Sequence, residues 1–96
     1  MRYELRQYGQ LIAAVVAATR GNVKAKKFVK YHQNAMGQGR SDWRLLADAL
    51  DCILAGERDE NALCGSLDKT GIQAEIIRTI LSGIENPRTV KTLLES

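Results

Sequence analysis

His32, Cys52 and Cys64 are the side chains of this chain best suited to chemistry, and the spacing around each argues against it. His32 is the only histidine, and a general base needs a partner that orients it. It falls near the middle of the apolar face of a predicted helix and no partner can be named, so it reads as a half-buried histidine with one hydrogen-bonded nitrogen. The two cysteines stand eleven residues apart with no histidine nearby, and one His with two Cys does not complete a zinc set. Asp48 and Asp51 flank Cys52 with charge that disfavours a reactive thiolate, and both thiols are expected to be small buried hydrophobes. Glu57, Asp59 and Glu60 gather around Arg58 without calcium-loop spacing, as expected of charges that favour a helix start. Gly37-Gln38-Gly39 lacks the strand and the Lys-Ser/Thr pair of a phosphate loop. The reading is therefore a protein with no catalytic residue, no metal ligand and no cofactor.

Binding chemistry is better represented. The net charge of +3 divides unevenly: nine Lys/Arg against two acids in residues 1–47, and five against nine in residues 48–96. Lys24, Lys27, Tyr31 and Asn34 share one side of a predicted helix, with Lys26 and Lys30 beside it. Lysines can hold phosphates while a tyrosine stacks on an exposed base. Arg20, Arg40 and Arg44 extend this candidate anionic-partner patch. Lysine-rich helix faces are commonly just solvated surface, and no zinc finger or RNP-type pattern accompanies this one. Trp43 is expected to seal the third helix against the second as a core residue.

The elements that carry these residues are all helical. Leu5, Tyr8, Ile12, Val15, Val16 and Thr19 keep one helical face over residues 3–20, and Gly21 occupies a C-cap glycine position. Gly9 interrupts this helix and is expected to permit close packing. Asn22 caps a second helix over residues 22–36, with Ala25, Phe28, Val29, His32, Ala35 and Met36 as its apolar face. Ser41 or Asp42 starts a third, carrying Trp43, Leu46, Ala47, Leu50, Ile53 and Leu54 and ending at Gly56. A short helix is predicted over residues 59–64. A strongly periodic one follows from Asp68 or Thr70, bearing Ile72, Ile76, Ile77, Ile80, Leu81 and Ile84. Asn86-Pro87 then opens a last short helix over residues 87–94. No stretch alternates long enough to make a strand. With only five aromatic residues, the core must be aliphatic.

Residues 11–21 align loosely with residues 46–56, each a helix with a glycine stop, which gives three helical hairpins without a strict repeat. Ninety-six residues make one domain. The expected fold is all-α: five to six short helices in an irregular antiparallel hairpin array over residues 1–96. The first eight residues show no apolar run ahead of a cleavage site, and the longest apolar run is too short to span a bilayer. The expectation is a cytoplasmic protein with reduced thiols and no membrane association.

One run has a counterpart elsewhere. Trp43 opens an apolar helix that ends in Ile53-Leu54-Ala55-Gly56-Glu57-Arg58-Asp59, followed by a short helix. Leu67-Asp68 then leads into the isoleucine-rich stretch from Ile76 to Leu81. This resembles a helical module of bacterial tetratricopeptide-repeat-containing proteins, over residues 11–84. The chain lacks the repeats themselves and adds the lysine cluster. The resemblance implies a helical adaptor or regulatory module and transfers no functional residue. The functional expectation is a non-enzymatic protein-interaction module with a protein partner, self-association through its basic and acidic halves included. The alternative is a small nucleic-acid-binding protein that uses the basic helix around residues 22–36.

Overall fold

Glycine and asparagine set the first corner of the chain. Helix α1 (Gly9–Thr19) ends where Gly21 takes a φ of +94°, a left-handed conformation that costs glycine nothing. The Gly21 N–H donates to the Ala18 carbonyl at 3.0 Å and the Asn22 N–H to that of Ala17 at 3.2 Å, the paired bonds of a Schellman cap. Asn22 then caps helix α2 (Val23–Gly37), its side-chain oxygen accepting the Ala25 N–H at 3.0 Å. Helix α3 (Ser41–Leu54) ends in the same way. Gly56 has φ +113°, and the N–H groups of Gly56 and Glu57 return to the carbonyls of Ile53 and Cys52. The likeness of residues 11–21 to residues 46–56 is thus a shared capping device.

The computed structural model describes residues 7–39, 41–65, 67–68, 70–86 and 88. Five helices and no strand occur among the described residues, so the fold is all-α as expected. Helix α4 (Glu60–Cys64) is capped by Asp59, whose carboxylate accepts the Asn61 N–H at 3.0 Å. The corner before it is closed by Glu57, whose Oε1 accepts the N–H groups of Arg58 and Asp59. The Arg58 guanidinium donates to the carbonyls of Ile53 and Glu57 at 2.8 and 2.7 Å, so the acidic corner is a structural knot. Helix α5 (Ile72–Glu85) begins later than Asp68 or Thr70. Asp68 instead folds a turn, accepting the N–H and hydroxyl of Thr70 at 3.0 and 2.8 Å. The helix expected over residues 87–94 falls almost wholly outside the described residues.

The core lies where α1, α3 and α5 meet. Ile12, Val15, Leu46, Leu50, Ile53, Ile76, Ile77 and Ile80, with Val29 from α2, are its largest fully enclosed side chains, and none is aromatic. Gly9 is buried on α1, consistent with close packing there. Helix α2 lies at the edge of this core, giving it Val29 and packing against α1 on one flank and α3 on the other. Among the described residues no helix is long and apolar enough to cross a membrane.

Two expectations about burial are corrected. Of the predicted apolar face of α2, only Val29 is buried; Phe28 is 37% exposed and Met36 half-buried, while His32 is half-buried as expected. The second buried position is Gln33, whose amide nitrogen donates to the Ala47 carbonyl and to Asp51 Oδ1, both at 2.9 Å. These two bonds tie the inner edge of α2 to α3 and turn the aromatic residues to the other flank. Cys52 is exposed rather than buried, because α3 already fills its inward positions with Leu46, Leu50 and Ile53; Cys64 is buried as expected.

Candidate interaction surface

Around α2, at about 100° per residue, the flank to one side of Gln33 carries Met36, His32, Phe28 and Ala35 in that angular order. These residues do not close onto α1. They form one wall of an open cleft of about 490 Å³, whose other walls are Gln7, Tyr8, Gln10 and Leu11 at the start of α1 and Trp43 at the start of α3. Tyr8 leans against Trp43 with ring centroids 5.4 Å apart. Phe28 meets His32, one turn away, with ring centroids 4.4 Å apart and the planes tilted by 50°, and Tyr31 meets the same imidazole edge-on at 5.5 Å. Three of the five aromatic residues therefore line the cleft and a fourth borders it, while the core contains none. Trp43 packs against the core as expected, but it is only half-buried: Tyr8 and Met36 share its surroundings and leave a side open to this cleft.

A shallower groove of about 430 Å³ continues along the same two helices, lined by Gln10, Ala13, Ala14, Asn22, Lys24, Ala25 and Phe28. Gln10 and Phe28 belong to both, so cleft and groove run end to end between α1 and α2.

The predicted basic residues do not form one compact patch. Lys24, Lys26, Lys27, Lys30 and Tyr31 are all exposed on α2, Tyr31 at 73%. Lys24 lines the groove. Lys30 lies toward α3, with its Nζ 3.4 Å from Asp51 Oδ1, the oxygen that also accepts from Gln33. Arg20 follows α1 at one end of α2, and Arg44 lies past the other end. The Arg44 Nε donates to the Gly39 carbonyl at 3.3 Å and supports the α2–α3 turn. The 15 residues of α2 span about 22 Å, so these two arginines bracket a strip rather than widen a cluster. Arg40 lies outside the described residues.

The cleft walls were not identified from the sequence as a site. Their signal was present in an α2 apolar stripe wider than one helix contact requires, and in aromatic residues confined to the first half of a chain with an aliphatic core. The His32 ring has aromatic neighbours on two sides. Cys52 lies in a small recess of about 190 Å³ with Asp48, Glu57 and Leu63. Among the described residues no three His, Cys, Asp or Glu side chains gather as a metal-binding group. No protein family, curated protein or solved structure matches this chain.

Proposed function

We propose that this chain is a non-enzymatic protein-interaction module that receives a partner in the cleft between α1, α2 and the start of α3. One observation carries the reading: Tyr8, Phe28, Met36 and Trp43 line an open apolar cleft, and although Tyr8, Met36 and Trp43 rest against the aliphatic core on one side, none of the four is fully enclosed. Aromatic side chains and methionine supply much of the contact area at protein interfaces, because they bury large surfaces with few rotatable bonds or adapt to irregular partners. An adaptor role also agrees with what the resemblance to modules of bacterial tetratricopeptide-repeat-containing proteins implies.

Selection from a library of displayed random peptides tests the reading. Enriched sequences are expected to carry spaced apolar anchors and to lose binding to Ala35→Gln and Phe28→Ala, two changes at the cleft wall. Absence of enrichment, or enrichment that both variants leave intact, would sink the proposal.

A second reading, nucleic-acid binding, is favoured by the exposure of Tyr31 among Lys24, Lys26 and Lys27. It requires affinity for single-stranded oligonucleotide that falls steeply with salt and is abolished by Lys24/Lys27/Lys30→Glu. Weak binding that any added salt removes equally from both proteins would reject it.

A further inference from the structure

We infer that the trough along α1 and α2 accepts an amphipathic helix of a partner protein, one whose apolar face is bordered by acidic side chains. The inference rests on the protein-interaction reading above and adds the chemistry of the partner. The shape comes first. The aromatic cleft and the shallower groove share Gln10 and Phe28, so the trough is continuous from Trp43 to Asn22. Its shallow half is floored by Ala13 and Ala14, small side chains that let another helix approach closely. Alongside it runs α1, whose 11 residues span about 16 Å, the length of about three helical turns. The deeper end at Trp43 has room for large apolar anchors, the pattern of a helix laid into a groove.

Charge selects the kind of helix. Residues 7–39, which include all of α1 and α2, contain five Lys/Arg and no Asp or Glu. No carboxylate of this hairpin can neutralise its own lysines. Lys30 finds Asp51 on α3, away from the trough, whereas Lys24 lines the trough itself. Carboxylates on an incoming helix would meet Lys24 beside the alanine floor and Arg20 past the end of α1. Like charges there would be repelled, so Lys24 disfavours basic helices as well as attracting acidic ones. A nucleic-acid strand is the poorer fit: its phosphates would use Lys24 and leave the alanine floor and the open side of Met36 without an apolar partner.

The test uses the whole chain and three synthetic helical peptides of about four turns with identical leucine faces. Their polar faces carry Glu, Gln or Lys, and none contains tryptophan or tyrosine. Trp43 is the only tryptophan of the protein, so its emission reports occupation of the cleft directly. The Glu peptide is expected to bind about tenfold more tightly than the Gln peptide, from a few exposed charge pairs, with the Lys peptide weakest. That advantage should shrink with added salt and largely disappear in Lys24→Glu. Equal affinity of the Glu and Gln peptides would overturn the acidic partner while leaving the interaction module intact. If no peptide binds, or if both Ala35→Gln and Ala13→Gln leave binding unchanged, the trough is not the site and the module reading falls with it. An oligothymidylate that displaces the Glu peptide at lower concentration than the Gln peptide does would instead assign the surface to nucleic acid.

Discussion

Helices α2 and α5 are nearly the same length, 15 and 14 residues, and the chain uses them in opposite ways. Helix α5 turns Ala74, Ile76, Ile77, Ile80 and Gly83 inward, and three of its isoleucines are fully enclosed. Helix α2 buries Val29 and Gln33 and leaves every lysine, Phe28 and Tyr31 exposed. One helix holds the fold together and the other lies on it. What fixes α2 is one buried valine, the Gln33 bonds to Ala47 and Asp51, and close packing along α1 and α3 that leaves most of its side chains outside the core. A helix secured by so few buried groups can change its outer surface with little cost to folding, which suits a surface that meets partners.

The contrast can be broken by substitution. Ile77→Ala removes a fully enclosed side chain from α5 and is expected to lower unfolding free energy by about 3 kcal/mol. Urea denaturation measures it, and a loss below about 1 kcal/mol would deny α5 its central role. Gln33→Ala takes both amide bonds from the α2–α3 contact and is expected to cost about 1–2 kcal/mol by the same assay. The gain is limited because Gln33 Oε1 is buried without a hydrogen-bond partner among the described residues, a cost the native protein already bears.

On the outer side the effects should be small. Lys24→Glu and Lys27→Glu are each expected to change stability by less than about 0.5 kcal/mol, as for ordinary surface positions. A large loss would mean that the outer face of α2 is structural after all. The Lys30–Asp51 pair is more than half exposed on both sides, at 66% and 58%, and its double-mutant coupling should stay under about 0.5 kcal/mol. Smallest of all is the turn before α5. Two hydrogen bonds from Thr70, through its N–H and its hydroxyl, hold the Asp68 carboxyl below the ordinary carboxylate range. A group depressed in the folded state adds stability that is present above its unfolded pKa and lost as pH falls through the folded one. Thr70→Val should therefore flatten a slight acid-side slope in a pH series of urea midpoints, and no change in slope would remove the turn from the account.

How far the sequence alone led follows the same division. The periodic isoleucines of α5, the glycine stops at Gly21 and Gly56 and the Asn22 cap were all legible, because each depends on residues within a turn or two. The rotation of α2 about its own axis was not. It is set by Gln33 reaching residues 14 and 18 positions away, which no local pattern reveals. With that rotation hidden, Phe28 and Met36 read as part of an inward apolar face. The pairing of Tyr8 with Trp43 is likewise a matter of how two distant helix starts abut. Exposure of Cys52 escaped notice because cysteine is usually buried, while the positions α3 buries were already supplied by leucine and isoleucine.

A backbone amide and indole N–H shift map, recorded as the Glu-faced peptide is added to the whole chain, puts the central claim to its most direct test. The account predicts that the largest shifts follow the trough: residues 7–14, the Lys24–Phe28–His32 side of α2, and the Trp43 indole, with α5 quiet. Shifts centred on the Cys52 recess, spread evenly over the molecule, or absent at saturating peptide would contradict it.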